Sequence, residues 1–189
     1  MNFIENIDFA ILYWIQDNIR CGFLDGIFPI ITSLCEGGII WILFGVALLF
    51  FKKYRKYGFF LLIAMLLGSV IGNDIIKPLV ARPRPCHIAS VLPDMLIDIP
   101  TSFSFPSGHT ASSVVSATVL VCANKKFGYA AIPLAVLIAF SRMYLFVHFP
   151  TDILAGAILG VSLAFATIYV GNKLIEKFIL HRKKGSNEN

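Results

Sequence analysis

The sequence predicts an all-α integral membrane protein, a bundle of five or six transmembrane helices with one long extracytoplasmic loop. Of its 189 residues, 57% are hydrophobic and only 14% are charged, and the mean hydropathy is +0.78. Soluble domains usually carry about 25% charged residues, so this composition could not cover a water-exposed surface. Long apolar blocks closed by charged residues have the pattern of repeated membrane spans.

Five apolar blocks account for the predicted spans. They cover residues 36–51, 57–76, 109–123, 127–147 and 152–172. A helix needs about 20 residues to cross the hydrocarbon core, and the blocks approach that length. We therefore expect one transmembrane domain over residues 36–180 and a basic cytoplasmic tail over residues 181–189.

The first 35 residues have a weaker pattern. Residues 3–15 place apolar side chains at helical spacing, with Glu5 and Asp8 off that stripe, which predicts an amphipathic helix at the membrane interface. Residues 25–34 are similar, with Pro29 near the middle. We expect residues 1–35 to form interfacial helices, one of which could add a sixth span, although five spans fit the blocks better.

The basic residues predict the orientation. If the loops 52–57 and 124–126 and the segment after residue 172 are cytoplasmic, they hold 11 of the 16 Lys and Arg residues. Nine of the 11 acidic residues then lie on the other side. This positive-inside pattern places the C-terminus in the cytoplasm and the 78–106 connection outside. The net charge of +5 is spread in short runs between apolar blocks, which argues against a nucleic-acid partner.

Three short segments concentrate the unusual polar residues at the predicted outer face. They are Lys77-Pro-Leu-Val-Ala-Arg82-Pro-Arg84-Pro85, Pro106-Ser107-Gly108-His109, and Ser141-Arg142 followed by His148 and Asp152. The cations Lys77, Arg84 and Arg142 would repel one another unless an anion binds between them, and phosphate matches arginine and lysine donors well. Ser107 is expected to cap the helix that follows it, and Gly108 lets an anion approach the backbone closely.

Two histidines in these segments could supply reactivity. Hydrolysis of a phosphate ester needs a nucleophile and a proton donor. A carboxylate such as Asp152 on one imidazole nitrogen of His148 would leave the other nitrogen free as the nucleophile, and His109 could protonate the leaving oxygen. Because the sequence has no zinc motif and no dense carboxylate cluster, we expect neither a metal nor another cofactor. Each residue also has a structural alternative; Arg142, for example, could pair with Asp152 or Asp74.

Taken together, the segments resemble the three signature motifs of the type 2 phosphatidic acid phosphatase superfamily. The resemblance covers residues 77–152 and every motif position. It implies that Lys77, Arg84, Ser107, Gly108 and Arg142 bind the phosphate. It also implies that His148 attacks phosphorus, Asp152 orients His148, His109 is the general acid, and no metal takes part. It assigns no role to Arg82 or Cys86.

The resemblance implies a membrane phosphatase with an extracytoplasmic active-site loop, whose partners are a lipid phosphate substrate and the bilayer. We expect a phosphohistidine intermediate and, as the first choice of reaction, conversion of undecaprenyl diphosphate to undecaprenyl phosphate. Phosphatidylglycerophosphate and phosphatidate are alternative substrates. A membrane transporter or anion-binding protein is the non-enzymatic alternative, and it would spread ionisable residues through the membrane depth. The sequence does not determine the oligomeric state.

Overall fold

A computed structural model describes the protein from residue 3 to residue 187, with side chains as far as residue 181. About 79% of it is helical, and these residues contain no strand. The helices are α1 Phe3–Asn18, α2 Gly22–Ser33, α3 Ile39–Phe50, α4 Arg55–Ser69, α5 Lys77–Val80, α6 Pro85–Ile88, α7 Gly108–Ala123, α8 Lys125–Tyr144 and α9 Pro150–Asn187. A 3₁₀ turn, Glu36–Gly38, precedes α3, and a π-helical segment, Val70–Ile76, joins α4 to α5. The predicted all-α membrane class is confirmed.

The described helices include several membrane-span candidates. The unit Arg55–Ile88, α8, and α9 as far as His181 are each long and apolar enough to cross a bilayer. Helix α2 and the segment Glu36–Phe50 could form one further span, bent by 45° at the break between them. The sequence placed α2 among the N-terminal helices that are interfacial or add a span, and this assignment stays a prediction. Helix α7 is apolar but has only 16 residues, so the count of five spans stays a prediction.

Helix α7 lies at the centre of the bundle and packs against α4, α8 and α9. Trp41 of α3 is fully buried beside it, where its Nε1 donates a hydrogen bond to Ser113 Oγ at 3.0 Å. Helix α9 approaches α7 through two glycines one turn apart. A Cβ atom on Gly160 would lie 2.8 Å from the carbonyl oxygen of Ala111. Small residues at this spacing allow two membrane helices to pack backbone against backbone.

The chain direction separates the basic loops from the polar segments. Helices α4 and α8 run toward one end of the bundle, where α7 and α9 begin. At the opposite end, Lys56 Nζ donates to Asn172 Oδ1 at 3.2 Å, and Asn124 Nδ2 donates to the Tyr54 hydroxyl at 3.0 Å. Helix α9 continues through Asn187, so the described part of the predicted tail is helical; residues 188 and 189 lie outside the described residues.

Helix α1 is amphipathic, as predicted, but its apolar stripe points outward. Ile7 and Trp14 lie on the exposed face, whereas Asp8 and Phe9 are buried. Phe9 meets the Phe149 ring edge-on, with 5.1 Å between the ring centroids. Asp8 lies off the apolar stripe, as the sequence predicted, and it faces inward because in a membrane protein the lipid-facing surface is the apolar one.

We expect Gly160→Ala to destabilise the bundle, because the added methyl group would force α9 away from the α7 backbone. Overpacking of this kind typically costs about 1–3 kcal/mol. The measurement is the apparent Tm of the detergent-purified protein. Gly26→Ala is the matched control, since a Cβ at Gly26 meets nothing within 4 Å; equal Tm values for the two variants would contradict the close approach.

Candidate active site

A cavity of about 660 Å³ lies at the end of the bundle where α4 and α8 converge on the start of α7. Its wall includes six of the residues that the sequence singled out, namely Lys77, Arg84, Gly108, His109, Arg142 and His148. The three segments that carry the motifs are thus brought to one place. Ser107 and Asp152 lie behind the wall and are fully buried.

The imidazole of His148 is held between a carboxylate and a guanidinium group. Its Nδ1 lies 3.5 Å from Asp152 Oδ2, and its Nε2 lies 3.0 Å from Arg84 Nη1. A proton on Nδ1, facing the carboxylate, leaves the lone pair on Nε2, the nitrogen on the side of Arg84 and the cavity. This geometry suits an imidazole that reacts through Nε2.

A tight turn after α8 delivers His148 to this position. Helix α8 ends at Tyr144, three residues before the predicted end of the span at residue 147, and His148 lies in the connection to α9. Phe146 adopts a left-handed backbone conformation, with φ of 58°, and the amides of Val147 and His148 both donate to the carbonyl oxygen of Arg142. The turn therefore places His148 beside the last turn of α8.

The N-terminus of α9 fixes Asp152 relative to His148. Pro150 starts the helix, and the Asp152 carboxylate accepts a hydrogen bond from the Phe149 amide at 2.8 Å. This is the reciprocal half of a capping box, in which the third helical residue reaches back to the residue before the helix. The four-residue spacing predicted that Asp152 would meet His148, and the contact arises through this cap.

Arg84 is almost fully buried and most of its donors are already engaged. Its Nε and Nη2 donate to the carbonyl and hydroxyl oxygens of Ser102, and Nη1 donates to the carbonyl oxygen of Val147. With the contact to His148, four of its five N–H groups have partners, which leaves one N–H on Nη2. The guanidinium is therefore rigidly placed at the floor of the cavity.

Arg142 and His109 present buried polar atoms without partners among the described residues. Arg142 Nη1 donates to Thr32 Oγ1 at 2.6 Å, but its Nε has no partner. The Nε2 atom of His109 is likewise buried and unpaired. Buried polar groups are normally hydrogen-bonded, so such atoms in a cavity wall indicate that a polar ligand completes them. The contact with Thr32 replaces the pairing of Arg142 with Asp152 or Asp74 that the sequence left open.

The charged residues of the cavity wall differ in burial: the arginines are buried and the carboxylates are exposed. Arg84 and Arg142 are only 3% and 4% exposed, whereas the carboxylates of Glu36 and Asp98 lie on exposed residues. Solvent screens the exposed carboxylates far more than the buried guanidinium groups. The cavity floor, to which Lys77 also contributes, is thus positive and suited to an anion.

Ser107 caps α7, as predicted. Its hydroxyl oxygen accepts from the Thr110 amide at 3.4 Å and from the Thr110 hydroxyl at 3.0 Å. A Cβ on Gly108 would lie 3.2 Å from Asn73 Oδ1 and 3.9 Å from Lys77 Nζ, so glycine makes room for these side chains. Because this hydroxyl oxygen already accepts the two capping hydrogen bonds, contact of Ser107 with the substrate stays a prediction.

Sequence reasoning missed several residues around Asp152. The Ser104 hydroxyl donates a hydrogen bond to Asp152 Oδ2 and lies 3.5 Å from His148 Nδ1. Arg82 faces Asp152 rather than the cavity, with 2.7 Å between Nη1 and Oδ1. Its place in the Arg-Pro-Arg-Pro segment was the available signal, whereas no pattern distinguished Ser104. Cys86 is 7% exposed and packs in an apolar cluster with Phe9, which gives it a core role.

Burial lowers the pKa of His148 to about 3, although its hydrogen bond with Asp152 opposes the shift. The nearby cations Arg84 and Arg142 act in the same direction as burial. The imidazole is therefore uncharged near neutral pH and keeps the lone pair that a nucleophile needs.

Comparison with known proteins decides the family. The model of the PAP2 superfamily matches residues 53–176, well over half of the chain. The chain belongs to the PAP2 superfamily. The matched range contains all the predicted site residues and leaves α1, α2 and α3 outside.

Several curated PAP2 relatives are lipid phosphatases by name. The undecaprenyl-diphosphatase of Sulfolobus acidocaldarius is 35% identical over 133 residues, which cover 69% of this chain and 63% of the relative. The phosphatidylglycerophosphatase B of Bacillus subtilis is 35% identical over 124 residues, 59% of this chain and 58% of the relative. The chain thus spans a little under two thirds of the length of these two relatives.

Two solved PAP2 structures share the fold. The crystal structure of the transmembrane PAP2-type phosphatidylglycerolphosphate phosphatase from Bacillus subtilis has a TM-score of 0.72 and 29% identity, covering 92% of this chain and 88% of that one. The crystal structure of Aquifex aeolicus LpxE has a TM-score of 0.73 and 28% identity, covering 86% of this chain and 95% of that one. Both matches cover a larger share of this chain than the family model does.

The pKa of His148 predicts a pH dependence of stability. Folding lowers this pKa from 6.5 to about 3, so between these values the unfolded chain takes up a proton that the folded chain does not. Stability should therefore fall as the pH drops below about 6.5. We expect His148→Gln to flatten the decline of the apparent Tm in detergent between about pH 7 and pH 4. His87→Gln, at an exposed histidine, should keep the wild-type slope; equal slopes for wild type and His148→Gln would refute the assignment.

Proposed function

We propose that this protein is a metal-independent membrane phosphatase that removes phosphate from a lipid phosphate or diphosphate. The observation that carries the proposal is the cavity itself. It combines the oriented imidazole of His148, the buried cations Arg84 and Arg142, and the unpaired Nε2 of His109. These groups supply a nucleophile, charge neutralisation and a proton donor, which are the three requirements of phosphate ester hydrolysis.

In the proposed reaction, Nε2 of His148 attacks phosphorus in line with the leaving oxygen. The P–N bond forms as the P–O bond breaks, and His109 gives its proton to the departing oxygen. Asp152 stabilises the positive charge that develops on the phosphorylated imidazole. Water then attacks phosphorus, the P–N bond breaks, and phosphate and free His148 are released, with His109 accepting the proton of the water.

Arg84 has to change partners during this reaction. Its Nη1 lies 3.0 Å from Nε2, so it occupies the lone pair that would attack. A phosphate oxygen in the cavity competes for the guanidinium N–H groups and binds them more strongly than a neutral nitrogen does. Substrate binding would thereby free the nucleophile, while the bonds to Ser102 keep the guanidinium in place.

Undecaprenyl diphosphate is the substrate that we favour, with undecaprenyl phosphate as the product. Its support is the 35% identity to a relative named for that reaction. Phosphatidylglycerophosphate is the main alternative, supported by phosphatidylglycerophosphatase B; phosphatidate is a further one. A relative from Porphyromonas gingivalis, 30% identical over 166 residues, is named lipid A 4'-phosphatase, which adds that lipid to the candidates.

We further propose that the cavity opens to the extracytoplasmic side and that the C-terminus is cytoplasmic. The positive-inside distribution supports this orientation, because the basic loops lie at the end of the bundle opposite to the cavity. The same placement argues against a transporter or a passive anion-binding protein. Lys77, Arg84 and Arg142 all approach the cavity from one end of the bundle.

A substrate panel with purified protein in detergent tests the activity. We expect phosphate release from undecaprenyl diphosphate in the presence of EDTA, and faster release than from phosphatidylglycerophosphate, phosphatidate or lipid A. A strict requirement for added Mg²⁺ would disprove the metal-independent reaction. A higher kcat/KM for one of the other lipids would reassign the substrate without affecting the chemistry.

Trapping the phosphoenzyme tests the nucleophile. Acid-labile label from a ³²P-lipid should attach to wild type and be absent from His148→Ala. In His109→Ala the phosphoenzyme should form more slowly, because the leaving oxygen lacks its acid; general acids contribute about 10²–10⁴-fold. Vanadate should inhibit, since it adopts the five-coordinate geometry of the reacting phosphorus. Label that persists in His148→Ala would exclude His148 as the nucleophile.

A further inference from the structure

Asp152 depends on more than His148 for its position. Both of its carboxylate oxygens are engaged: Oδ2 accepts from the Phe149 amide and the Ser104 hydroxyl, and Oδ1 accepts from Arg82 Nη1 at 2.7 Å. The contact between Oδ2 and His148 Nδ1 is longer, at 3.5 Å. The neighbours of the carboxylate, rather than the imidazole, therefore set its orientation.

Arg82 is a bridge between two buried carboxylates. Its Nη1 donates to Asp152 Oδ1 and to Thr151 Oγ1, and its Nη2 donates to Asp8 Oδ2 at 2.7 Å. The guanidinium carbon also lies 4.0 Å from the centroid of the Phe149 ring. These contacts hold the planar fork in one orientation, which a lysine could not reproduce. Arg82 does not line the cavity, so it is not placed to bind phosphate.

Asp8 is the second carboxylate of this bridge. It lies on α1, outside the region that the family model matches. It is only 1% exposed, although it lies on the amphipathic helix α1. Its Oδ1 accepts from the Thr151 amide at 3.1 Å, and its Oδ2 accepts from the Thr151 hydroxyl and from Arg82. A buried carboxylate with this many donors is costly to remove, because its partners would be left unpaired.

We propose that Asp8 and Arg82 are positioning residues that hold Asp152 in register with His148. This inference rests on the proposed phosphatase reaction. Arg82 fixes the carboxylate through Oδ1, so that Oδ2 stays directed at Nδ1 of the imidazole. Asp8 balances the charge of Arg82, which leaves more of the negative charge of Asp152 available to the imidazole when it becomes phosphorylated. Helix α1 is thereby part of the active-site scaffold as well as a membrane-facing element.

The test compares steady-state constants of Asp8→Asn, Arg82→Gln and the double variant. We expect each single variant to lower kcat by about 10- to 100-fold, as small misplacements of reacting groups do. KM should change little, since neither residue lines the cavity. If Asp8 acts through Arg82, the two losses should not add, and the double variant should resemble Arg82→Gln. Arg82→Lys should recover only part of the kcat that is lost in Arg82→Gln.

Asp25→Asn is the matched control for helix docking. Asp25 accepts from the Tyr144 hydroxyl at 2.7 Å and lies 3.4 Å from Arg20 Nε, so it also ties the N-terminal helices to α8 but touches no active-site residue. Its kcat should stay at the wild-type value. An equal loss in Asp25→Asn and Asp8→Asn would reduce Asp8 to a docking residue and overturn the proposal.

A second readout separates this proposal from the proposed function. In ¹⁵N-histidine NMR spectra of the detergent-solubilised protein, the His148 signal can be assigned by its absence in His148→Ala. Asp8→Asn should shift this signal, and Asp25→Asn should leave it in place. An unshifted signal would disprove the positioning role, whichever lipids release phosphate. Failure of wild type to hydrolyse any lipid, with the signal shifted in Asp8→Asn, would overturn the proposed function alone.

Discussion

The buried carboxylate of Asp152 is the interaction on which the arrangement of the site depends. Its side chain binds the Phe149 amide, Ser104 and Arg82, and its carbonyl oxygen accepts from the Ser107 amide at 3.1 Å. The start of α9, the 89–107 connection and the start of α7 therefore meet at one residue. Removing one member of a buried ionic network typically costs about 3–5 kcal/mol, because the remaining charge loses its compensation. Such a network also fixes geometry, as each donor restricts the direction of the carboxylate.

The arginines of the cavity differ from Arg82, the arginine beside Asp152, in how their charge is compensated. Arg82 lies between two carboxylates and is electrically balanced, whereas Arg84 and Arg142 are buried mainly among carbonyl and hydroxyl oxygens. Burying a cation without a counter-ion is unfavourable unless a ligand provides the opposite charge. The balanced arginine therefore belongs to the scaffold, and the unbalanced arginines belong to the proposed phosphate site.

The sequence predicted the helical class and the convergence of the motifs because both depend on short-range pattern. Apolar blocks predict where the spans lie. Polar residues at those ends of the spans that point to the same side of the membrane must then lie at one face. It did not predict the roles of Asp8 and Ser104, because their partners lie more than 40 residues away along the chain. A lone acidic residue in an amphipathic helix has the same local pattern whether it faces water or a buried arginine. Likewise, the turn at Phe146, which places His148 beyond α8, has no glycine to mark its left-handed conformation.

The length of α7 constrains where the cavity lies in the membrane. Its 16 residues rise by about 24 Å, less than the roughly 30 Å of the hydrocarbon core. If Lys125 and Lys126 mark the cytoplasmic interface, His109 at the other end of α7 lies about 6 Å short of the boundary between the acyl chains and the headgroups of the opposite leaflet. The phosphate of a lipid lies just beyond that boundary, so it has only a short distance to move toward His109. A lipid could therefore reach the cavity by lateral diffusion with its chain still in the bilayer, and the protein would need to desolvate only the phosphate, which the unbalanced arginines compensate.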